Sequence, residues 1–591
     1  MKKIILLILI TVMAAGMGYP AARAEGHPVT LPLRFDYYYT YEMVVEALQL
    51  LHRKFPGFTR LEVVGHSEED RAIYALTLHN PATGNDLDKP GIYVDGNIHG
   101  NEIQATEVCL YLADYLLHQY TRLDSIRELV DQKVFYIIPS VNVDGRAHFF
   151  EDATAAGGGN RGLRRPKDDD RDGLFDEDFS DDLDGDGNIC QMRKYVPGQG
   201  DFKLHPDDPR LLVRVKPGER GDYLRLGSEG IDNDGDGRVN EDEEGYVDPN
   251  RNWGYDWAPN YVQQGAGDYP FSGVGLKGIA RFIRKHPNIC MAWAFHNTGG
   301  LIVRGPSTEA QGEYAPGDLR VYDYLGEQSE RIIPGYRYVI GFKDMYSTYG
   351  DFGEWMMMIN GAYTFIGELF IRSQETFQTR QEEREETRTA GEEEERSMWD
   401  WTADLEHLQF NDHLAHGSLF REWKEYDHPT YGKIEIGGWI KFSSRMPHPF
   451  MLRDLVHRNA SAVIHSAEQT PEVTMEIFEK KKLESGLTRV RVRLRNSGVI
   501  PTMSHHARGK KLYPQDILKV EGPRARVIAG GRLLDPYRDT VQYKEHRPHL
   551  QFLVVDGFDK IELQFLISGK GPVTFSYHSR VARDRQQKVQ L

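Results

Sequence analysis

The sequence predicts an α/β domain, a central sheet with helices on both faces, followed by a small C-terminal β-sandwich. Three observations carry this. Buried apolar runs alternate with helical periodicity between residues 41 and 467. The alternation breaks near Gly157 and resumes near Pro249. After Thr470 the period changes to two, as in Val490-Arg-Val-Arg-Leu-Arg495, and Asn-Ser-Gly marks a turn behind it.

In chain order, residues 41–54 place Tyr41, Val44, Val45, Leu48 and Leu51 on one helical face. Two apolar strands follow, around 60–65 and 72–78. Residues 90–99 read as a buried strand running into a loop, 102–120 as a helix and 134–139 as another buried strand. Residues 274–285 read as a helix, 289–295 and 362–370 as strands, and 450–467 as a closing helix. The polar, charge-rich stretch 373–400 reads as a solvated helix or insertion. In the last section, 560–566 and 572–578 alternate like strands.

The 591 residues allow roughly two to four domains and a large core. Lys+Arg number 72 against 89 Asp+Glu, a net charge of −17, which excludes nucleic acid and an anionic membrane as partners because both need a basic face. Residues 168–187 hold eleven acids and one Arg, and residues 232–243 hold six acids and one Arg, so two windows carry −15 of the −17. Three cysteines (Cys109, Cys190, Cys290) exclude a disulfide scaffold, and the odd count leaves a thiol free.

Lys2 and Lys3 precede the apolar run Ile4–Met13, and small residues lead to Ala22-Arg23-Ala24. This predicts an export signal over residues 1–24, cut after Ala24, and a secreted or periplasmic protein with no stable membrane span. No Cys at the cut argues for a lipid anchor. Little chain separates the signal from the first helix, which leaves no room for a large N-terminal pro-domain. Removing the signal takes three positive charges and leaves the mature chain at −20.

The acidic windows have a pattern. Asp232-x-Asp234-x-Asp236-Gly237, with Glu243 at the twelfth place, fits a calcium loop without a mismatch. Alternating carboxylates on a tight turn supply the hard oxygens calcium requires. Asp168-x-Asp170-x-Asp172-Gly173 and Asp182-x-Asp184-x-Asp186-Gly187 are looser copies that lack the twelfth-place Glu. Two or three calcium ions are expected, in EF-type loops without flanking EF-hand helices. An unstructured acidic linker is the plainer alternative.

His99-Gly-Asn-Glu102 places an imidazole and a carboxylate at a strand end entering a helix, a spacing that can converge on zinc. The motif alone is weak. With 22 His residues about one or two chance copies are expected, and His66-Ser-Glu-Glu69 is one, on a polar turn. A third ligand must come from afar. His296 ends the apolar strand Cys290-Met-Ala-Trp-Ala-Phe295 and enters a Gly-bearing loop, a usual place for an α/β active site.

Together these residues resemble the zinc carboxypeptidases, the carboxypeptidase A-like metallopeptidases, over roughly residues 35–467. Further segments resemble the family's in order: Asn142-Val-Asp-Gly145 with Val143 where Pro is usual, and Asn160-Arg161-Gly-Leu163-Arg164 with Leu163 where Trp is usual. Asp248-Pro-Asn250-Arg251-Asn and Ala362-Tyr-Thr-Phe-Ile-Gly-Glu368 follow. The resemblance implies a mixed central sheet and one catalytic zinc on His99, Glu102 and His296. It implies Glu368 as general base, Arg164 as the arginine polarising the scissile carbonyl and Arg161 as an outer substrate arginine. Asn250 and Arg251 would bind the substrate carboxylate, Asp248 would orient His99, and Tyr346 (or Tyr349) would cap the substrate. Gly353 stands at the base of the side-chain pocket and brings no carboxylate there, hence no case for a C-terminal Lys or Arg.

The expected organisation is a signal at 1–24, a catalytic domain at 30–469 with the Asp-rich insertion at 165–246, and a sandwich at 470–591. The expected function is an exported zinc carboxypeptidase acting on peptides or proteins with a free C-terminus. The alternatives are an amidopeptidase of peptidoglycan stem peptides on the same scaffold, or a non-catalytic calcium-dependent binding protein.

Overall fold

Strands Gly91–Gly96 and Ile289–Asn297 are buried at every residue, which requires cover on both faces of the sheet they join. Alternate side chains go to opposite sides: Ile92, Val94, Trp293 and Phe295 pack in one core, and Tyr93, Ala292 and Ala294 in another. Helices Gln104–Gln119 and Pro449–Glu468 line the first core, and Val274–Lys285 lines the second. These features come from a computed structural model that describes residues 28–156, 158–168, 173–242, 244–371 and 402–591. The expected export signal and the charged stretch 373–400 lie outside the described residues, as do Asp170, Asp172 and Glu243.

Eight strands form the central sheet, in the order Thr59–His66, Ala72–Leu78, Val134–Ile138, Gly91–Gly96, Ile289–Asn297, Tyr363–Leu369, Leu301–Arg304, Arg337–Ile340. The middle four are mutually parallel, and the strand on either side of them joins antiparallel, so the sheet is mixed as expected. The first helix, Tyr41–Lys54, starts where Thr40 Oγ1 accepts from the Met43 amide, and buries Val44, Ala47, Leu48 and Leu51. Asn142 caps helix Val143–Glu151 in the same way, through the Gly145 amide. Among the described residues no helix is long and apolar enough to cross a membrane. Cys109, Cys190 and Cys290 are buried free thiols.

The chain between the acidic windows is more than a loop. Gln191–Gly200, Phe202–Leu204, Leu212–Arg214 and Gly221–Ser228 form an antiparallel sheet that Phe420–His428 and Gly432–Trp439 complete. The run of acids on either side hides this in the sequence, although Met192-Arg-Lys-Tyr-Val has strand-forming residues. The C-terminal section forms a five-stranded and a four-stranded antiparallel sheet. Val490, Val492, Phe565, Leu518, Val573 and Phe575 share one core between them, which makes a sandwich.

Candidate active site

Strand Gly91–Gly96 ends below a loop whose geometry fixes His99. Asn97 takes a left-handed conformation (φ 57°) and its amide donates to the His99 and Gly100 carbonyls at 2.8 and 3.0 Å. Gly100 cannot be replaced by a larger residue without rearrangement: a Cβ there would stand 2.3 Å from the Asn160 carbonyl oxygen and 2.4 Å from Gly145 Cα. Three of the motif segments therefore meet backbone to backbone. Glu102 follows just before helix Gln104–Gln119. On the next strands His296 and Glu368 are register partners in a parallel pair.

His99 Nδ1 lies 2.9 Å from Glu102 Oε1, and His296 Nδ1 lies 3.1 Å from Glu102 Oε2 and 3.2 Å from His99 Nδ1. All three side chains are buried, and His296 Nε2 is buried without a partner. Ligand atoms of the three lie within 4.8 Å of one another, a His₂–carboxylate set that fits zinc. Asp248 Oδ1 sits 3.0 Å from His99 Nε2, on the side away from the cluster. Burial alone would raise Glu102 and Asp248. The adjoining imidazoles, with Arg251 and Arg161 beside Asp248, hold both carboxyls well below the usual range. Glu368 differs: burial raises it to about 7, against the pull of His296, and Glu102 adds to the rise.

A cavity of about 380 Å³ opens over the cluster. Its lining brings together His99, Glu102, His296, Glu368, Arg161, Asn250, Arg251 and Tyr346. Arg161 touches the cluster, with Nη2 3.0 Å from His99 Nε2 and 3.2 Å from Asp248 Oδ2, and Nη1 3.4 Å from Glu102 Oε1. Tyr346 is 56% exposed at the rim. Tyr349 is not part of the lining.

Arg164 is not brought to this cavity. Its side chain is 42% exposed and pairs with Glu244 and Asp152. The cause is local. Leu163–Arg164 pairs with Tyr246–Val247 as a short ladder, Leu163 is buried, and the next residue must face the other way. Arg164, expected beside the scissile carbonyl, thus does not line the cavity, whereas Arg161 does. The His66–Glu69 motif also stays away: Glu69 pairs with His148 and Arg71 on the surface.

Three further lining residues had no signal in the motif reading. Arg445 has a left-handed backbone (φ 62°), with its carbonyl held by Gln104 and Asn297, and it extends Nη2 to 3.3 Å from Glu102 Oε1. Asp351 and Glu354 add two buried carboxyls to the lining, beside Gly353, where no carboxylate was expected. Burial raises Glu354 to about 8, the Asp351 carboxyl adds to this, and a hydrogen bond from Tyr314 opposes it.

Of the acidic loops, Asp232, Asp234 and Asp236 converge, and Asp182 and Asp184 converge with Glu229; Asp178, Asp234 and Glu241 form a third group. Asp186 pairs instead with Arg421 at 2.8 Å. Asp168 is described, but its loop partners are not, so that loop has no described geometry.

Residues 44–188 match the family model "Zinc carboxypeptidase", and residues 472–590 match a domain of unknown function, DUF8731. Carboxypeptidase D of Mus musculus is 36% identical over 109 residues, 18% of this chain and 8% of that protein. The carboxypeptidase N catalytic chain of Rattus norvegicus is 34% identical over 128 residues, 21% of this chain and 27% of that protein. The matches thus span well under a third of either relative. The crystal structure of thrombin activatable fibrinolysis inhibitor aligns at 15% identity over 73% of this chain and 74% of that one, with a TM-score of 0.42. The family match spans the His99–Glu102 segment and its neighbours, so it is residues 44–188 that are similar to the zinc carboxypeptidase family.

Proposed function

We propose that the chain is an exported zinc carboxypeptidase that removes residues from the free C-terminus of peptides or proteins. One observation carries the reading: a His₂Glu cluster, the buried Glu368 and the arginines Arg161 and Arg251 line a single cavity. Bound at His99, Glu102 and His296, zinc supplies Lewis-acid polarisation of the scissile carbonyl and a water of lowered pKa. Glu368 accepts the water proton on its carboxylate and returns it to the leaving amine, and a carboxyl near 7 suits that exchange at neutral pH. Arg161 directs its guanidinium at the carbonyl oxygen as charge develops there, where a fixed cation is worth several kcal/mol.

Arg251 and Asn250 hold the terminal carboxylate, which a guanidinium fork can take bidentately and an ammonium cannot. That clamp favours release of terminal residues over internal cleavage. Tyr346, exposed at the rim, closes over the bound residue. We read the acidic loops as calcium loops that brace the Leu163–Arg164/Tyr246–Val247 ladder, which leads directly into Asp248 and Asn250.

The test uses the mature chain loaded with zinc, and mass spectrometry of a peptide over time. Stepwise loss from the C-terminus is expected. Glu368→Gln keeps zinc and loses turnover. Arg161→Ala lowers kcat/KM by about 10²-fold or more, as loss of an oxyanion donor does, and Arg164→Ala changes it far less. A zinc-loaded enzyme that leaves every C-terminus intact refutes the proposal.

A further inference from the structure

The loop at Asp182 cannot close a calcium sphere by itself. Its twelfth residue is Arg193, and that guanidinium is engaged with Glu435 at 2.7 Å. A carboxylate does complete the group, from Glu229, three residues before the other acidic window. Gln191 and Ser228 are register partners in an antiparallel pair, which sets Glu229 beside Cys190 at the exit of the loop. The Glu229 amide donates to the Cys190 carbonyl at 3.0 Å, and the Cys190 amide donates to Glu229 Oε1 at 2.8 Å.

Glu229 is 0% exposed, and its Oε2 is buried with no hydrogen-bond partner. One carboxylate oxygen each from Asp182, Asp184 and Glu229 lie within 4.8 Å of one another. Among the described residues no Lys or Arg pairs with Glu229. Two cations pair with the loop itself: Lys424 Nζ is 3.2 Å from Oδ2 of the ligand Asp184, and Arg421 Nε is 2.8 Å from Asp186 Oδ2. A buried carboxylate oxygen aimed at two more carboxylates is costly unless a cation joins them. All the donors are oxygens, with no imidazole among them, which selects a hard divalent ion.

We propose that Asp182, Asp184 and Glu229 form one calcium site, with Glu229 taking the part of the acid missing from the loop's twelfth place. The inference rests on reading the acidic loops as calcium loops. It adds that this ion cross-links two segments over forty residues apart, the first acidic window and the strand exit that precedes the second. The site staples the entry of strand Gln191–Gly200 to the exit of strand Gly221–Ser228.

The experiment counts bound calcium on the full zinc-loaded chain, by calcium titration calorimetry and by metal analysis after dialysis, with magnesium as the control. Glu229→Gln, which retains an acceptor for the Cys190 amide, is expected to lose one calcium equivalent or to weaken one site at least about ten-fold. Asp184→Asn is expected to remove the same equivalent, and the double variant no more than either. If Glu229→Gln keeps the full count at unchanged affinity, the inference is overturned while the calcium reading stands. If the unaltered chain binds no calcium, the calcium reading falls with it. Should Glu229→Gln fail to fold, crystals of the unaltered chain grown with terbium decide: anomalous density within bonding reach of Glu229 supports the site, and an ion held by the Asp182 loop but out of reach of Glu229 overturns it.

Discussion

Removing the Asp248 carboxylate should weaken zinc binding without touching a ligand. His99 turns Nδ1 toward Glu102 and His296, so Nδ1 is the nitrogen left for the metal and Nε2 carries the proton toward Asp248 Oδ1, 3.0 Å away. Asp248 does two things there. It holds the imidazole in that tautomer, and through Oδ2 it holds Arg161 at 3.2 Å. Such a partner is worth about 10–100-fold in metal affinity, or about 1.4–2.8 kcal/mol. Asp248→Asn keeps an acceptor for His99 and for the Asn250 amide, which now bonds Oδ1 at 2.8 Å, and should fall near the lower figure. Asp248→Ala also frees Arg161, whose Nη2 is already 3.0 Å from His99 Nε2, and should reach the upper one. Competition for zinc against a chromophoric chelator measures both, with circular dichroism as the fold control. A folded Asp248→Ala variant that holds zinc as tightly as the unaltered chain would refute this account of how His99 is set.

Two more outcomes are expected. Arg146 and Glu107 are both fully buried and paired at 2.7 Å, and Arg146 also donates to the Ile103 carbonyl beside Glu102; Arg146→Met should cost about 3–5 kcal/mol in urea unfolding. The double variant with Glu107→Gln should cost less than the sum of the singles, and additive losses would contradict the pairing. Glu354 is an acid raised in the fold from 4.5 to about 8, chiefly by burial, so its contribution to stability is complete below about pH 4.5 and is lost as pH rises toward 8. At about 1.4 kcal/mol per unit this is a few kcal/mol. Unfolding midpoints from pH 5 to 9 should therefore fall less steeply for Glu354→Gln than for the unaltered chain, and parallel curves would contradict the assignment.

Much of this was legible in the sequence because it is local or periodic. The strand before His296 is apolar at every residue, which announces a buried strand and marks its polar end. His99 and Glu102 share one strand-to-helix turn. What was not legible depends on approach across the fold. Arg445 stands 343 residues from Glu102 and belongs to no motif; two side chains that grip its carbonyl put it in the cavity. Glu229 is set by strand register. That Arg164 stays out of the cavity follows from which side of a two-residue ladder faces inward, a fact that motif spacing does not encode. At the pocket base, attention to Gly353 passed over Asp351 and Glu354, which share its turn.

The register of His296 with Glu368 has a consequence for how the chemistry tolerates change. Neighbouring strands stand about 4.8 Å apart, and that spacing belongs to the hydrogen-bond ladder, not to the loops. The gap between the third ligand and the proposed base is thus set by the least deformable part of the molecule. Loops around the cavity can lengthen, exchange residues or take up ions without altering it. A slip of one strand by a single residue, in contrast, would turn one of the two side chains to the opposite face of the sheet. Variation in what the cleft accepts is free to accumulate at the rim, while the distance on which proton transfer depends is inherited from the sheet itself.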